Sequence, residues 1–256
     1  MTWIDNLILS LVEGLTEFLP VSSTGHLMIA RHFLGMSATE NETFLIAIQF
    51  GAILSILVLY WKKFFSSEAK QLYPMLMIGF IPAGIIGFLF DDILDLMLQA
   101  PWIPGITLIF FGIVLLYLER IFPPGDKKIA ILKPIDSIKI GLFQCIAMIP
   151  GVSRSAATIA GGLHAKLSRS EATEFSFLLA LPTLAAAGGY KMLTHWKELS
   201  ASDIGDIALG NVLSFITAFF AVRFFINFIK EKGFAFFGYY RIVLGSLFLA
   251  YWFLLQ

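Results

Sequence analysis

The chain has 256 residues, of which 58% are hydrophobic and only 14% charged, and its formal net charge is zero. An ordinary soluble domain is about half apolar and about one quarter charged. The mean hydropathy of +0.82 and the repeated long apolar runs therefore predict a polytopic, all-α membrane protein. Zero net charge leaves no electrostatic footprint for nucleic acid. The single cysteine, Cys145, excludes an intramolecular disulfide and a cysteine-based metal cluster, and reads as a small apolar residue packed among helices.

The first apolar segment, 3–19, lacks a basic leader and is interrupted by Glu13 and Glu17, so it reads as mature structure and not as a signal peptide. A second short segment, 22–34, follows Pro20. Full spans come next, near 44–61, 72–90 and 101–118. Two more short segments, 138–149 and 153–165, flank Pro150, and spans near 173–190, 207–229 and 236–255 complete the chain. At about 1.5 Å per residue the six long segments each cross a hydrocarbon core of about 30 Å. The four short ones break at a proline among small and hydroxyl residues. They predict two re-entrant helical hairpins with tips near the bilayer midplane, where non-helical backbone survives only if buried in protein or lining a wet cavity.

The order is thus hairpin, three spans, hairpin, three spans: one membrane domain of two repeats, about 1–121 and 130–256. Pro20 pairs with Pro150 and Ser23 with Ser153 at an offset of 130, and Gly112 in the third span matches Gly245 in the sixth at a similar offset. An odd number of spans per repeat makes the second inverted relative to the first, and paired broken segments point to a central site. Loop charge orients the whole. Lys62, Lys63 and Lys70, then Arg120, Lys127, Lys128 and Lys133, then Lys230 and Lys232 mark cytoplasmic loops. The loop with Asp91, Asp92 and Asp95 lies outside. Lys191 and Lys197 fit this scheme worst. The first hairpin then enters from outside and the second from the cytoplasm, with both chain ends outside.

Residues 13–26, EGLTEFLPVSSTGH, gather two carboxylates, three hydroxyls and an imidazole, and PGVSRS at 150–155 adds a guanidinium. Ionisable groups at membrane depth are costly and mark functional sites. Glu13 and Glu17, four apart, share one helix face. Ser22, Ser23 and Thr24 can cap the returning helix, whose N-terminus attracts phosphate-like anions. His26 is close enough to reach the same ligand. The second tip repeats the pattern with Ser153 and Ser155 and adds Arg154, which can grip two phosphate oxygens. Gly25 and Gly151 allow close backbone approach. Each residue taken alone also has a plainer reading: interfacial carboxylates, helix caps, a structural histidine, a snorkelling arginine.

EGLTEFLPVSSTGHL (13–27) and PGVSRSAATIAGG (150–162), with FLIAIQFGAILSILV (44–58) and EFSFLLALP (174–182), resemble the bacitracin-resistance family of undecaprenyl-diphosphate phosphatases over essentially the whole chain. The second motif departs from that family in having Ala156 where glycine is usual. The resemblance implies a bacterial inner-membrane hydrolase that converts undecaprenyl diphosphate to undecaprenyl phosphate, the carrier lipid recycled for peptidoglycan and other envelope polymers. Its active site is expected to face the external side. It carries essential roles onto Glu13, Glu17, Ser23, His26 and Arg154, and polar positions onto Gln49 and Gln144.

Ser23 is the preferred nucleophile, with Glu17 or His26 taking its proton. Attack by His26, or by a water activated by one of the pair, stays open. Glu13 and Glu17 offer hard oxygens for Mg²⁺ or Ca²⁺; no organic cofactor is expected. Undecaprenyl diphosphate and membrane lipid are the expected partners; a homodimer stays open, though nothing in the residues argues for one. The rival reading is a transporter or flippase for a polyprenyl phosphate or small anion on the same architecture. A type 2 phosphatidic acid phosphatase is excluded, because Ala160 stands where its histidine should follow Ser153-Arg154.

Overall fold

The computed structural model describes residues 2–37, 41–66, 69–100, 102–195 and 201–255; Lys197, part of the loop-charge reading, lies outside them. Thr2 starts the first helix, its hydroxyl taking the Asp5 amide and the Asp5 carboxylate taking the Thr2 amide in a reciprocal cap. Helix α1 (Trp3–Thr16) and helix α2 (Ser23–Phe33) form the first hairpin, followed by α3 (Glu42–Phe64), α4 (Ala69–Leu89), α5 (Asp91–Leu98) and α6 (Ile103–Ile121). A 3-10 turn (Ile129–Ile131) leads to the second hairpin, α7 (Pro134–Ile146) and α8 (Arg154–His164), then α9 (Arg169–His195), α10 (Ala201–Lys232) and α11 (Ala235–Leu255). Helices α3, α4, α6, α9, α10 and α11 are long and apolar enough to cross a membrane. Helix α5 was not expected. The stretch after α4 reads as an acidic loop, but Leu94 and Leu98, four apart, turn one apolar face inward and hold it helical.

Hydrocarbon chains are as apolar as leucine, so helix association in a membrane relies on close packing rather than on escape from water. Glycines supply that closeness here. Helices α6 and α11 run antiparallel along a seam where a Cβ on Gly245 would stand 2.7 Å from the Gly105 carbonyl oxygen, and one on Gly112 3.0 Å from that of Gly238. Gly105 and Gly112 match Gly238 and Gly245 at one shared offset, 133. The other halves of the molecule exchange partners: α1 packs on α10, α7 on α4, and α3 on both α9 and α10. Gly14 of α1 faces Ser214, Thr217 and Ala218, while Gly141 of α7 faces Gly79 and Pro82. Phe18, Phe175, Phe177, Phe225 and Phe237 fill the interior around these crossings.

One end of the bundle collects ion pairs: Lys63 with Glu174, Arg169 with Glu119, and Lys127 with Asp136. Helix α7 starts at this end, and α10 stops there, Gly233 abutting Glu119. Helix α1 runs parallel to α10, with Ser10 at Gly210 and Gly14 at Ser214, so α1 starts at the opposite end. The two hairpins enter the bundle from opposite sides.

Candidate active site

Both tips carry the same backbone device. Ser22 (φ 72, ψ 94) caps α2, its hydroxyl taking the Gly25 amide at 3.2 Å; Ser153 (φ 81, ψ 115) caps α8, taking the Ala156 amide at 3.2 Å. A non-glycine residue at such positive φ costs about 1–3 kcal/mol and persists only where surrounding structure enforces it. The caps correct the register read from sequence. Ser153 corresponds to Ser22, not Ser23, because Gly151 is an extra residue in the second tip; Ser23 and Arg154 then occupy the same first helical position. Gly151 has φ 91, and a Cβ there would meet Thr107 Oγ1 at 1.9 Å. Ala156 sits within the first turn of α8, where its amide serves the cap.

The tips meet through Glu17, the C-cap of α1. Its carboxylate accepts from the Ser23 hydroxyl with one oxygen and from Arg154 Nη2 at 3.1 Å with the other. Arg154 Nη1 donates to the Ser176 carbonyl at 3.0 Å, and its guanidinium lies over the Phe18 ring, 5.6 Å from the centroid. The ion pair is buried, with side-chain exposures of 11% and 5%, so Arg154 is held by matched acceptors and does not snorkel.

A cavity of about 500 Å³ opens over this group. Glu17, Ser22, Ser23, Thr24, Gly151, Ser153, Arg154, Gln49 and Gln144 all line it. Gln144 takes a long hydrogen bond from Thr183 Oγ1 (3.3 Å), while its Nε2 is buried without a partner, a donor left for a ligand oxygen. Away from the polar floor the walls are apolar, with Phe80, Phe88, Leu94, Leu98, Leu184 and Tyr190. Asp91 and Lys191, 4.0 Å apart, line the end farthest along α4 and α9.

Four sequence-derived site residues do not line the cavity. Glu13 is fully buried beneath Glu17, one turn back on α1, and both its oxygens lack a partner. His26 turns toward α11: Nδ1 donates to the Ser22 carbonyl at 2.7 Å, and Nε2 pairs with the Tyr240 hydroxyl at 2.7 Å. The Ser22 oxygen can only accept, so Nδ1 carries the proton. Gly25 packs near Gly151, where a Cβ would come within 3.6 Å of its Cα. Ser155 is wholly buried and ties the tips together, donating to the Leu19 carbonyl at 2.8 Å. Sequence reasoning missed Thr107, Ser176, Tyr240, Arg241 and Lys191. The clearest signal was Arg241, a lone cation inside an apolar span.

A multi-pass helical membrane protein with a buried acid, alcohol and guanidinium at the floor of an amphipathic cavity is built to hold an anionic headgroup. The chain belongs to the family described as bacitracin resistance protein BacA, whose model matches residues 6–247. It is similar to proteins named undecaprenyl-diphosphatase from Flavobacterium johnsoniae (44% identical, covering 97% of this chain and 96% of the relative) and Bdellovibrio bacteriovorus (44%, covering 97% and 95%). One from Porphyromonas gingivalis is 44% identical over 96% and 95%.

Proposed function

We propose that this chain removes the terminal phosphate of undecaprenyl diphosphate, giving undecaprenyl phosphate and inorganic phosphate, and so recycles the lipid carrier for cell-wall synthesis and confers bacitracin resistance. Family membership and the names of its relatives support the substrate. The observation that carries the chemistry is Glu17 bound at once to Ser23 and Arg154 at the cavity floor.

The diphosphate sits on the floor and the first isoprene units lie along the apolar wall. Arg154, the first-turn amides of α2 and α8, and Gln144 Nε2 surround its oxygens and stabilise the charge that builds in the transition state. Ser23 Oγ attacks the terminal phosphorus as Glu17 takes its proton. The bond to the bridging oxygen breaks, and undecaprenyl phosphate leaves. Water then hydrolyses the phosphoserine, releasing phosphate and restoring Ser23. His26 has both ring nitrogens engaged away from the cavity, so its role in this scheme is to fix the Ser22 carbonyl and with it the first tip.

A divalent cation fits this donor set in part. Glu13 offers two unpartnered buried oxygens beneath Glu17, away from the cavity lining; among the described residues no cluster of three metal-binding side chains exists. Glu13 and Glu17 would hold such an ion, which would neutralise diphosphate charge.

The two halves are read as an inverted repeat in the bacterial inner membrane, with the cavity open to the external side. The opposite entry of the hairpins, the antiparallel α6–α11 seam and the gathering of basic loops at the far end from Asp91 support this. Lys191, the misfit of the loop-charge rule, lines the cavity mouth, where a cation has a use in attracting diphosphate.

The test is phosphate release from a polyprenyl diphosphate by detergent-solubilised protein, where transport is impossible. Turnover that disappears in Arg154→Ala supports the hydrolase; a folded wild type releasing no phosphate rejects it and returns the transporter reading.

A further inference from the structure

Arg241 is a second cation beside the tips that the scheme above does not use. It lies on the membrane-spanning helix α11 with 0% exposure, the largest fully buried side chain among the described residues. A buried charge demands compensation. Among the described residues none of the ion pairs involves it. Its two terminal nitrogens donate to main-chain carbonyls instead, Nη1 to Pro20 (3.2 Å) and Val152 (2.9 Å) and Nη2 to Gly151 (2.6 Å), while Nε is buried without a partner.

Those three carbonyls belong to both tips. Pro20 lies in the first, and Gly151 and Val152 in the second, while Arg241 belongs to neither. In a trans peptide the C=O and N–H point in opposite directions. Drawing the Val152 oxygen toward α11 therefore aims the Ser153 amide away from it. Both serine caps need enforcement at positive φ, and a planar fork contacting the residues just before each cap supplies it. Its neighbour Tyr240 acts in the same direction, holding His26 and through it the Ser22 carbonyl.

We infer that Arg241 is a positioning residue: a clasp that locks the two tips in register, and so sets Ser23 and Glu17 of one half against Arg154 of the other. It is not among the cavity-lining residues, so the scheme gives it no contact with substrate. The catalytic consequence rests on the proposed hydrolase reading; the clasp itself does not.

The experiment compares wild type, Arg241→Gln and Arg241→Lys in lipid nanodiscs. Hydrogen exchange is followed in peptides covering residues 17–25 and 148–157, and kcat and KM are measured for phosphate release from a polyprenyl diphosphate. In Arg241→Gln, exchange should rise in both tips together while α3 stays unchanged. Its kcat should fall about tenfold to a hundredfold, the scale of a small misplacement of reacting groups, with KM within about threefold. Arg241→Lys, which keeps the charge but not the planar fork, should lie between the two. Unchanged exchange in both tips, or a change in one tip only, overturns the clasp for Arg241→Gln; exchange raised in both tips with a kcat within about threefold of wild type overturns its positioning role in catalysis. If Arg241→Gln does not fold, Arg241→Lys decides: intermediate exchange and kcat support the clasp, and wild-type values in both overturn it. A wild type that exchanges as expected but releases no phosphate rejects the hydrolase reading and leaves the exchange comparison standing.

Discussion

Glu17 and Arg154, 137 residues apart in sequence and on different hairpins, meet at 3.1 Å inside the bundle. The pair keeps each charge matched before a ligand arrives, and it leaves the second carboxylate oxygen on the Ser23 hydroxyl. In the proposed scheme, substrate phosphate would compete for the same guanidinium and free Glu17 to act as a base as its counter-ion turns to the phosphate.

Removing the guanidinium should therefore damage the transition state more than the ground state. Arg154→Ala is expected to lower kcat by about 10²–10³, the loss seen when one comparable charge stabiliser is deleted. Arg154→Lys should recover only part, since an ammonium cannot hold Glu17 and the Ser176 carbonyl with one rigid fork. Steady-state phosphate release in detergent checks both.

Ser23→Ala should abolish phosphorylated intermediate and turnover together. Rapid quenching with a polyprenyl diphosphate labelled at the terminal phosphate should trap label on wild-type protein and none on the variant. Full turnover by Ser23→Ala would assign attack to water.

Lys191→Gln should act on capture and not on chemistry. Half-buried at the mouth beside Asp91, its charge is still partly screened. KM is expected to rise by about threefold to tenfold, with kcat nearly unchanged, and the effect should shrink as salt is added.

Gly151→Ala combines an unfavourable φ with a collision against Thr107 Oγ1, the hydroxyl that also binds the Pro150 carbonyl at 2.7 Å. It should destabilise the fold by more than the backbone penalty alone, about 1–3 kcal/mol, and lower the melting temperature in detergent. Gly35→Ala is a useful contrast: its φ is also positive (72), but a Cβ meets nothing within 4 Å, so only the backbone penalty should remain.

Chelation tests the cation. If Glu13 and Glu17 hold one with the diphosphate, EDTA should remove activity and Mg²⁺ or Ca²⁺ restore it, and Glu13→Gln should raise the cation concentration needed for half-maximal rate.

Much of this arrangement was legible from local pattern. Pro20 and Pro150 break apolar runs too short to span, and that places both hairpins; Glu13 and Glu17 advertise a shared helix face by their spacing. The register between tips was not legible, because a single inserted residue, Gly151, shifts the alignment and only the cap geometry shows where. His26 was read into the pocket because it stands in the first helical turn. Its direction is set by Tyr240, 214 residues away, and no local spacing encodes that. Arg241 was hidden by averaging: one cation barely lowers the hydropathy of an apolar run such as α11. Helix α5 disappeared for the converse reason, since its aspartates dominate a segment whose leucines face the cavity.

The matched tips carry one more implication. Ser23 and Arg154 occupy the same place after equivalent caps. Two separate, identical subunits would have to repeat one side chain at both places, and an alcohol could then never face a guanidinium. Joining the halves in one polypeptide permits a division of labour, which the proposed scheme uses by giving attack to one half and charge neutralisation to the other.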